Sequence, residues 1–585
     1  MRKVKIVCTL GPACGDIGKL RALAAAGMNV ARFNFSHGDY EGHGRMLELT
    51  RQVERETGRS IAAILDTKGP EIRTGLLAGH KDAELAAGSE FSLVTDECEG
   101  SAERVSISYA GLPEEVTEGQ DLYIDDGEIH LKVTRKEPGR VVCRVIVGGV
   151  LGERKGVNVP GADLAVPTLT EKDVADIEWG MDHGMDYIAV SFVRRREDIM
   201  QVRRVIEHHG GRARSVNVMA KIETVQSVQN IEDIIQVVDA VMVARGDLGV
   251  EMPAEMVPMV QKRIIEMCRA LGKPVVVATQ MLDSMIRNPR PTRAEAADVA
   301  NAVLDGADAV MLSGETAGGR YPVESVEMMA RIIETTEHEG KRRFAMPMEN
   351  ACAKNAADSV SHSAMMVASE LGAAAVLSLT RSGSTAALVS KYRPSAPILA
   401  STPLVSTWRA MSLMWGVLPF LAEEHGSSED AVDAAMDTIL EHGCVREGDA
   451  VVITTGFPVF ISGTTNMLLV RTVGKILFRA PSLIKMEASG IVCRAGTASE
   501  ADARMTQGNV LVVRRADAGY TNAMKKAAAI ITEEHGVTSC ASLTALQLGI
   551  PCVSHEGAFE LLREGALVTV DGVHGVVYEG RVKTK

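Results

Sequence analysis

Aromatic residues are scarce in this chain: three tryptophans, eight tyrosines and ten phenylalanines among 585 residues. Stacking platforms for unpaired bases are built from such side chains, so a single-strand nucleic-acid binder is a poor reading. Positive charge is also short. The formal net charge of -13 at pH 7 argues against nucleic acid or an anionic membrane as the main partner. An anionic small molecule stays compatible, because a few local basic side chains can define its site. No segment approaches the ~18 apolar residues of a membrane span. No C-x-x-C occurs, and ten cysteines lie scattered from Cys8 to Cys552. That spacing suits reduced thiols in a cytosol and argues against a zinc site or a disulfide scaffold. The opening "MRKVKIVCTLGP" is basic and then apolar, but its apolar stretch is too short for a signal peptide. A cytoplasmic protein is expected, of about four domains at roughly 150 residues each.

What the chain does have is a recurring apolar run. "KIVCTL", "MNVARFNFS", "SIAAILDTK", "YIAVSFV", "VNVMAKIE", "AVMVARGD", "PVVVATQ" and "AVMLSGE" follow one another over the first ~340 residues. None alternates with polar residues, as expected of parallel strands covered on both faces. Amphipathic segments such as "EKDVADIEWGMDHG" and "VPMVQKRIIEMCRALG" separate them. Eight strands alternating with helices predict a (β/α)8 barrel.

Polar residues close these runs in a consistent place. Arg32, Asn34 and Ser36 end the second; Asp66 and Lys68 end the third; Lys221 and Glu223 end the fifth. Arg245 and Asp247 end the sixth, Ser313 and Glu315 the eighth, while Ser191 and Thr279 stand singly in the fourth and seventh. One charge pair could be an ordinary salt bridge. Five sets of polar residues, three of them charge pairs, on the carboxyl rim of a barrel, where this fold places its chemistry, predict a catalytic centre. Glu223 and Asp247 would offer two carboxylates to a divalent ion, with Lys221 and Arg32 adding positive charge. These residues suit phosphoryl transfer, and they equally suit enolate chemistry on a keto acid.

About a hundred residues separate the third run from its helix, too many for a loop. The insert, from near Pro70 to near Pro167, is β-rich: "EFSLVTD", "RVSISYAG", "DLYIDDGEIHLKV" and "GRVVCRVIVGG". It reads as a lid domain on the active-site face. Its Asp125-Asp126-Gly127 fits a hairpin turn. The expected domains are 1–69 with 168–345 (barrel), 70–167 (inserted β lid), 346–475 (α/β) and 480–585 (an extra C-terminal domain).

The blocks "KIVCTLGPA", "ARFNFSHG", "LDTKGPEIRTG", "KGVNVPG", "MAKIE", "VARGDLGVEMP" and "NPRPTRAEAADVANAVLDGADAVMLSGETAGGRYP" resemble the pyruvate kinase family, in its order, over residues 1 to about 475. Ser227 stands where many members have glycine. The resemblance implies phosphoryl transfer from phosphoenolpyruvate to ADP, giving pyruvate and ATP. It implies Lys221 at the transferring phosphoryl group and the enolate, and Glu223 and Asp247 as ligands of Mg2+ (or Mn2+). Arg32 would grip the phosphate, with Gly246 and Thr279 at the carboxylate end. Asn34, Phe35, Ser36, His37, Arg73 and Lys155 match nucleotide-side positions. Thr279, Ser313 and Glu315 are candidates for the route that protonates the enolate. Asn34, Ser36, Asp66 and Thr67 match a K+ site. Glu71 stands where potassium-independent members carry lysine, so potassium dependence is expected.

In "LSLTRSGSTAALVSKYRP", a Ser/Thr/Gly turn leads from a strand into a helix, a setting that suits a phosphate. The resemblance makes Thr380, Arg381, Ser382, Gly383, Ser384 and Thr385 an effector loop for a sugar phosphate or nucleotide, with "SGTTN" (462–466) as a facing wall. It also implies a homotetramer. Beyond residue 480, "ITEEHGVTSCASLTALQLGIPCV" resembles the mobile phosphohistidine domain of phosphoenolpyruvate-using synthases. Cys540 replaces the histidine of T-S-H-A, so a structural or regulatory domain is expected there. Two other readings compete. A metal-dependent lyase or aldolase of the phosphoenolpyruvate/pyruvate barrel group would use Glu223, Asp247 and Arg32, but not Lys155, Arg73 or a nucleotide lid. A non-catalytic regulatory relative would be expected to lose Lys221 or a metal carboxylate, and both are kept.

Overall fold

A computed structural model describes the chain except residues 1, 163, 210–215, 341–354, 425–426, 457–464, 483 and 583–585. The domain boundary expected at 345/346 and Ser462, Gly463 and Thr464 of the facing wall lie outside the described residues. The chain forms two compact units. One holds Met1–Lys354, Arg381–Arg393 and Thr402–Leu421; the other holds Asn355–Thr380, Pro394–Ser401 and Ala422–Lys585.

In the first unit eight parallel strands close a barrel in sequence order. They are β1 (Lys5–Thr9), β2 (Val30–Asn34), β3 (Ala62–Asp66), β4 (Tyr187–Val190), β5 (Asn217–Ile222), β6 (Ala240–Ala244), β7 (Val275–Ala278) and β8 (Ala309–Leu312). Alternation explains why no polar period shows in the sequence. Val7, Val30, Ile64, Met219, Met242, Val276 and Met311 form one buried cluster, while Ile6, Ala31, Leu65, Val218, Val241, Val277 and Val310 belong to another. Side chains of a strand point to opposite faces in turn, so one set fills the barrel and the other meets the helices. Ala410 and Leu413 join the inner cluster, and the Tyr187 hydroxyl, at the start of β4, donates to the Ala410 carbonyl at 2.9 Å. The segment around residue 410 therefore plugs the amino-terminal mouth of the barrel. The helices start on strong caps. Thr170 and Thr292 each complete a capping box with Asp173 and Glu295.

The insert is a six-stranded sheet with a separate two-stranded piece, built around its own core of Phe91, Leu93, Leu122, Ile124, Leu131 and neighbours. Gly69 marks its point of departure. Its φ is +71°, and a Cβ there would lie 2.8 Å from both the Ser191 Cβ and the Phe192 ring. Only glycine fits this turn.

In the second unit, strands Ile398–Thr402, Ala375–Leu379, Ala450–Gly456 and Thr465–Thr472 lie side by side in that order. A seven-stranded sheet over Ile476–Glu579 makes up the C-terminal region. Within it Ser539 caps the helix Cys540–Leu548, accepting from the Ser542 N–H at 3.1 Å. Cys540 is the first residue of that helix and is half-buried.

Candidate active site

The carboxyl ends of β2, β3, β4 and β5 bring one polar network together. Asp66, which ends β3, is fully buried. Its Oδ2 accepts from Arg32 Nε at 2.6 Å, and its Oδ1 lies 3.2 Å from Lys221 Nζ. Lys221 Nζ also meets Glu223 Oε1 at 2.7 Å and donates to Ser191 Oγ at 2.8 Å. Arg32 Nη1 donates to Thr9 Oγ1 at 2.9 Å, and the Phe192 N–H donates to Glu223 Oε2 at 2.7 Å. Burial alone would push the Asp66 carboxyl up, but the Arg32 and Lys221 charges outweigh it and hold it low. Burial likewise opposes the Lys221 charge, and Asp66 and Glu223 overcome it, so Lys221 is firmly protonated.

Asp247 stands in a different environment. Burial, and next the negative charge of Glu223, push its carboxyl well above the usual range. The half-buried Asp247 carboxylate beside the buried carboxylate of Glu223 is a donor set that a hard divalent cation fits. Among the described residues no group of three or more His, Cys, Asp and Glu side chains forms a metal cage. Two carboxylates alone are the pattern of an ion that completes its shell with water and substrate oxygens. Beside Asp247, the Gly246 N–H donates to Thr279 Oγ1 at 2.7 Å. Thr279, Gln280 and Phe192 hold left-handed φ values of 67°, 52° and 54°. Such values are uncommon outside glycine, and here they cluster just past β4 and β7.

Not every rim residue faces the network. β6 stops at Ala244, and Arg245 opens a short helix, Arg245–Glu251, so Arg245 and Asp247 do not share a strand period. Arg245 instead reaches Asp298 at 2.7 Å. Glu315 is buried, with Oε2 accepting the Ser313 N–H at 2.7 Å and Oε1 the Leu282 N–H at 3.0 Å. Lys68 turns away from Asp66, its Nζ 3.9 Å from Glu71. Ser227 completes a capping box with Thr224 directly after β5, a use for the hydroxyl that glycine would not supply.

At the end of β2, the Asn34 side chain accepts the Ser36 N–H at 3.1 Å. Thr67 Oγ1 accepts the Ser191 N–H at 3.1 Å. His37 is exposed and its carbonyl meets His43 Nε2 at 2.9 Å. Phe35 is a buried ring stacked on His43 at 4.2 Å. Between the inserted sheet and the barrel lies a cleft of about 300 Å³ whose lining includes Arg73, Asp125, Lys155 and Asp247. Asp125-Asp126-Gly127 is indeed the turn of an antiparallel hairpin, with all three φ angles positive. The Asp125 carboxylate does more than turn the chain: it sits 2.6 Å from Lys155 Nζ. Arg73 is matched in the same way, by Glu71 at 2.6 Å.

In the loop 380–385, Gly383 (φ +83°) precedes the helix Ser384–Lys391, and Ser382 Oγ donates to Ser384 Oγ at 3.1 Å. Thr380 lies in the other compact unit, buried. Thr407 Oγ1 donates to the Arg381 carbonyl at 2.8 Å.

Thr9, the Phe192 N–H and the Arg245–Asp298 pair were not singled out from sequence. The only local signal was Thr9 at the end of the first run; the other two depend on which strands become neighbours.

Comparison with known proteins agrees with this geometry. The family model "Pyruvate kinase, barrel domain" matches residues 1–326, and "Pyruvate kinase, alpha/beta domain" matches 358–471. "PEP-utilising enzyme, mobile domain" matches 505–575. A pyruvate kinase of Geobacillus stearothermophilus is 46% identical over 583 residues, 99% of each chain. One of Bacillus licheniformis is 46% identical over 585 residues, again 99% of each. A solved pyruvate kinase of Cryptosporidium parvum superposes with a TM-score of 0.74 at 36% identity, covering 81% of this chain and 96% of its own. With a barrel-domain model matched over more than half of the chain and relatives 46% identical along 99% of it, the chain belongs to the pyruvate kinase family of phosphotransferases.

Proposed function

We propose that the chain transfers the phosphoryl group of phosphoenolpyruvate to ADP, giving pyruvate and ATP, the closing step of glycolysis. The observation that carries this reading is the Arg32–Asp66–Lys221–Glu223 network, with Asp247 beside it and Lys155 and Arg73 across the lid cleft. The protonated Lys221 supplies a fixed positive charge where the phosphoryl group leaves the enol oxygen and negative charge develops. Arg32, held rigid by Asp66 and Thr9, grips the phosphate. Gly246 and Thr279 orient the carboxylate end. The enol P–O bond breaks, an oxygen of the ADP β-phosphate takes the phosphorus, and the enolate carbon gains a proton. The Thr279 hydroxyl donates to the Ala278 carbonyl and accepts the Gly246 N–H, both at 2.7 Å, and both Glu315 oxygens hold backbone N–H groups, so either would have to release a bond to serve that route.

Glu223 and Asp247 would hold Mg2+ (or Mn2+), which when bound neutralises the substrate oxygens. Asn34, Ser36, Asp66 and Thr67 offer oxygen ligands for K+. Glu71 brings no positive charge that could replace that ion. Lys155 and Arg73 receive the nucleotide phosphates, with Asn34 to His37 alongside, and the inserted domain closes over them as a lid. A lyase of the same barrel group would have no use for Lys155 and Arg73. Residues 380–385 bind a sugar-phosphate or nucleotide effector, and the protein works as a cytoplasmic homotetramer. Free thiols at all nine cysteines among the described residues suit that compartment.

The test is pyruvate formation from phosphoenolpyruvate and ADP with magnesium, with potassium present or replaced by tetramethylammonium. Potassium-stimulated, ADP-dependent turnover is expected. Absence of ADP-dependent turnover with every effector class tried would overturn the reading.

A further inference from the structure

Ser191 closes its apolar run alone, and no step of the proposed reaction uses it. It follows β4 directly and is 2% exposed. Register sets its level in the barrel: Val190 pairs with Ala220, so Ser191 comes beside Lys221 at the rim.

The Lys221 ammonium has three protons and no lone pair. Three acceptors surround it: Glu223 Oε1 at 2.7 Å, Ser191 Oγ at 2.8 Å and Asp66 Oδ1 at 3.2 Å. Two of them are carboxylates, which compete for the cation and draw it toward themselves. Ser191 is the neutral third point, and three points fix the nitrogen in space.

The direction of the serine hydroxyl follows from its partners. Its oxygen lies 2.6 Å from the Thr67 carbonyl and 3.4 Å from Asp66 Oδ1. A carbonyl only accepts and an ammonium only donates. The hydroxyl proton therefore goes to Thr67, and the oxygen turns its lone pairs to Lys221. A chain of one polarity results, from Lys221 Nζ through Ser191 Oγ to the Thr67 carbonyl. Its base is well held. The Ser191 N–H donates to Thr67 Oγ1 at 3.1 Å, the Thr67 N–H donates to the Ala189 carbonyl at 3.0 Å, and Thr67 is buried. The β3–β4 ladder thus runs on past both strands to this pair.

The next residue repeats the device. Phe192, at a φ of 54°, donates its N–H to Glu223 Oε2 at 2.7 Å. Left-handed backbone at a phenylalanine is strained, and such strain persists where the surroundings hold it. Adjacent residues at the end of β4 therefore hold both members of the Lys221–Glu223 pair.

We infer that Ser191 is a positioning residue for Lys221: its hydroxyl, committed to the Thr67 carbonyl, sets where the ammonium stands as the phosphoryl group leaves the enol oxygen. The kinetic consequence rests on the proposed phosphoryl transfer; the placement of the nitrogen does not.

A double-mutant cycle tests it. Ser191→Ala should lower kcat roughly 10- to 100-fold, as expected when a catalytic group is misplaced, with the KM for phosphoenolpyruvate and for ADP little changed. In a Lys221→Met background the same change should cost less than about twofold, because no ammonium is left to place. An equal loss in both backgrounds would mean that Ser191 acts on the fold rather than through Lys221, and would overturn the proposal. Ser191→Cys keeps the bulk but offers a weak acceptor, and should lose activity as the alanine variant does; full activity would also overturn it. A crystal structure of Ser191→Ala supplies a readout that needs no turnover. Lys221 Nζ should shift toward Glu223 or Asp66, and an unmoved nitrogen would overturn the inference. Absence of ADP-dependent turnover in the parent chain would overturn the reaction instead, and the crystal result would then decide the placement.

Discussion

Asp125→Asn tests how the lid handles its own charges. Asp125 has a φ of 57°, a region that asparagine tolerates as well as aspartate, so the hairpin turn should survive. The substitution removes only the negative charge 2.6 Å from Lys155 Nζ. The two side chains are 37% and 22% exposed, so water screens the pair and its worth is about 0.5–1 kcal/mol. A nucleotide phosphate that binds Lys155 has to displace Asp125 and lose that energy. Without the aspartate, the KM for ADP should fall by a factor of roughly 2–5, since 1.4 kcal/mol corresponds to tenfold. Steady-state kinetics at saturating phosphoenolpyruvate measure this, and the KM for phosphoenolpyruvate should change little. Asp125→Ala is the companion. It removes the same charge but leaves a side chain poorly suited to positive φ, so its Tm should drop while that of the asparagine variant holds. An unchanged or raised KM for ADP in Asp125→Asn would refute the argument that Asp125 and nucleotide compete for Lys155.

Lys221→Met should lower kcat by roughly 10²–10³ or more, the range for removing one preorganised charge or donor from a transition state; a loss below tenfold in the phosphoenolpyruvate assay would dislodge Lys221 from its role. Gly69→Ala forces a Cβ into Ser191 and Phe192 at φ +71°, so thermal unfolding should shift down by at least the ~1 kcal/mol of the backbone term. An unaltered Tm would show that the backbone at Gly69 relaxes freely. Glu251, in the cleft wall, has its carboxyl pushed up to about 7 by burial. Its folded value lies above its unfolded one, so the native state binds the extra proton between about 4.5 and 7. Its contribution therefore destabilises increasingly as pH rises through that window and levels off above 7. Glu251→Gln should be more stable than the parent at pH 8 and no more stable at pH 4, read by urea unfolding; a gain that is the same at both would contradict it.

The sequence by itself determined the barrel and its rim. Each strand is buried on both faces, so its apolar run is continuous and visible without any partner. Chemistry at strand ends then followed from where polar residues interrupt those runs, and Lys221, Glu223, Asp66 and Arg32 do meet. What the tertiary structure decided was pairing. Whether Arg32 or Lys221 neutralises Asp66 depends on barrel closure and register, and both do. Arg245 looked like a rim residue because the strand-to-helix change after Ala244 leaves no break in the apolar pattern. Residues 402–421 read as part of a later domain, yet Ala410 and Leu413 complete the barrel interior. A run of sequence shows how a segment buries its own side chains; which distant segment covers them is settled only when the chain closes on itself.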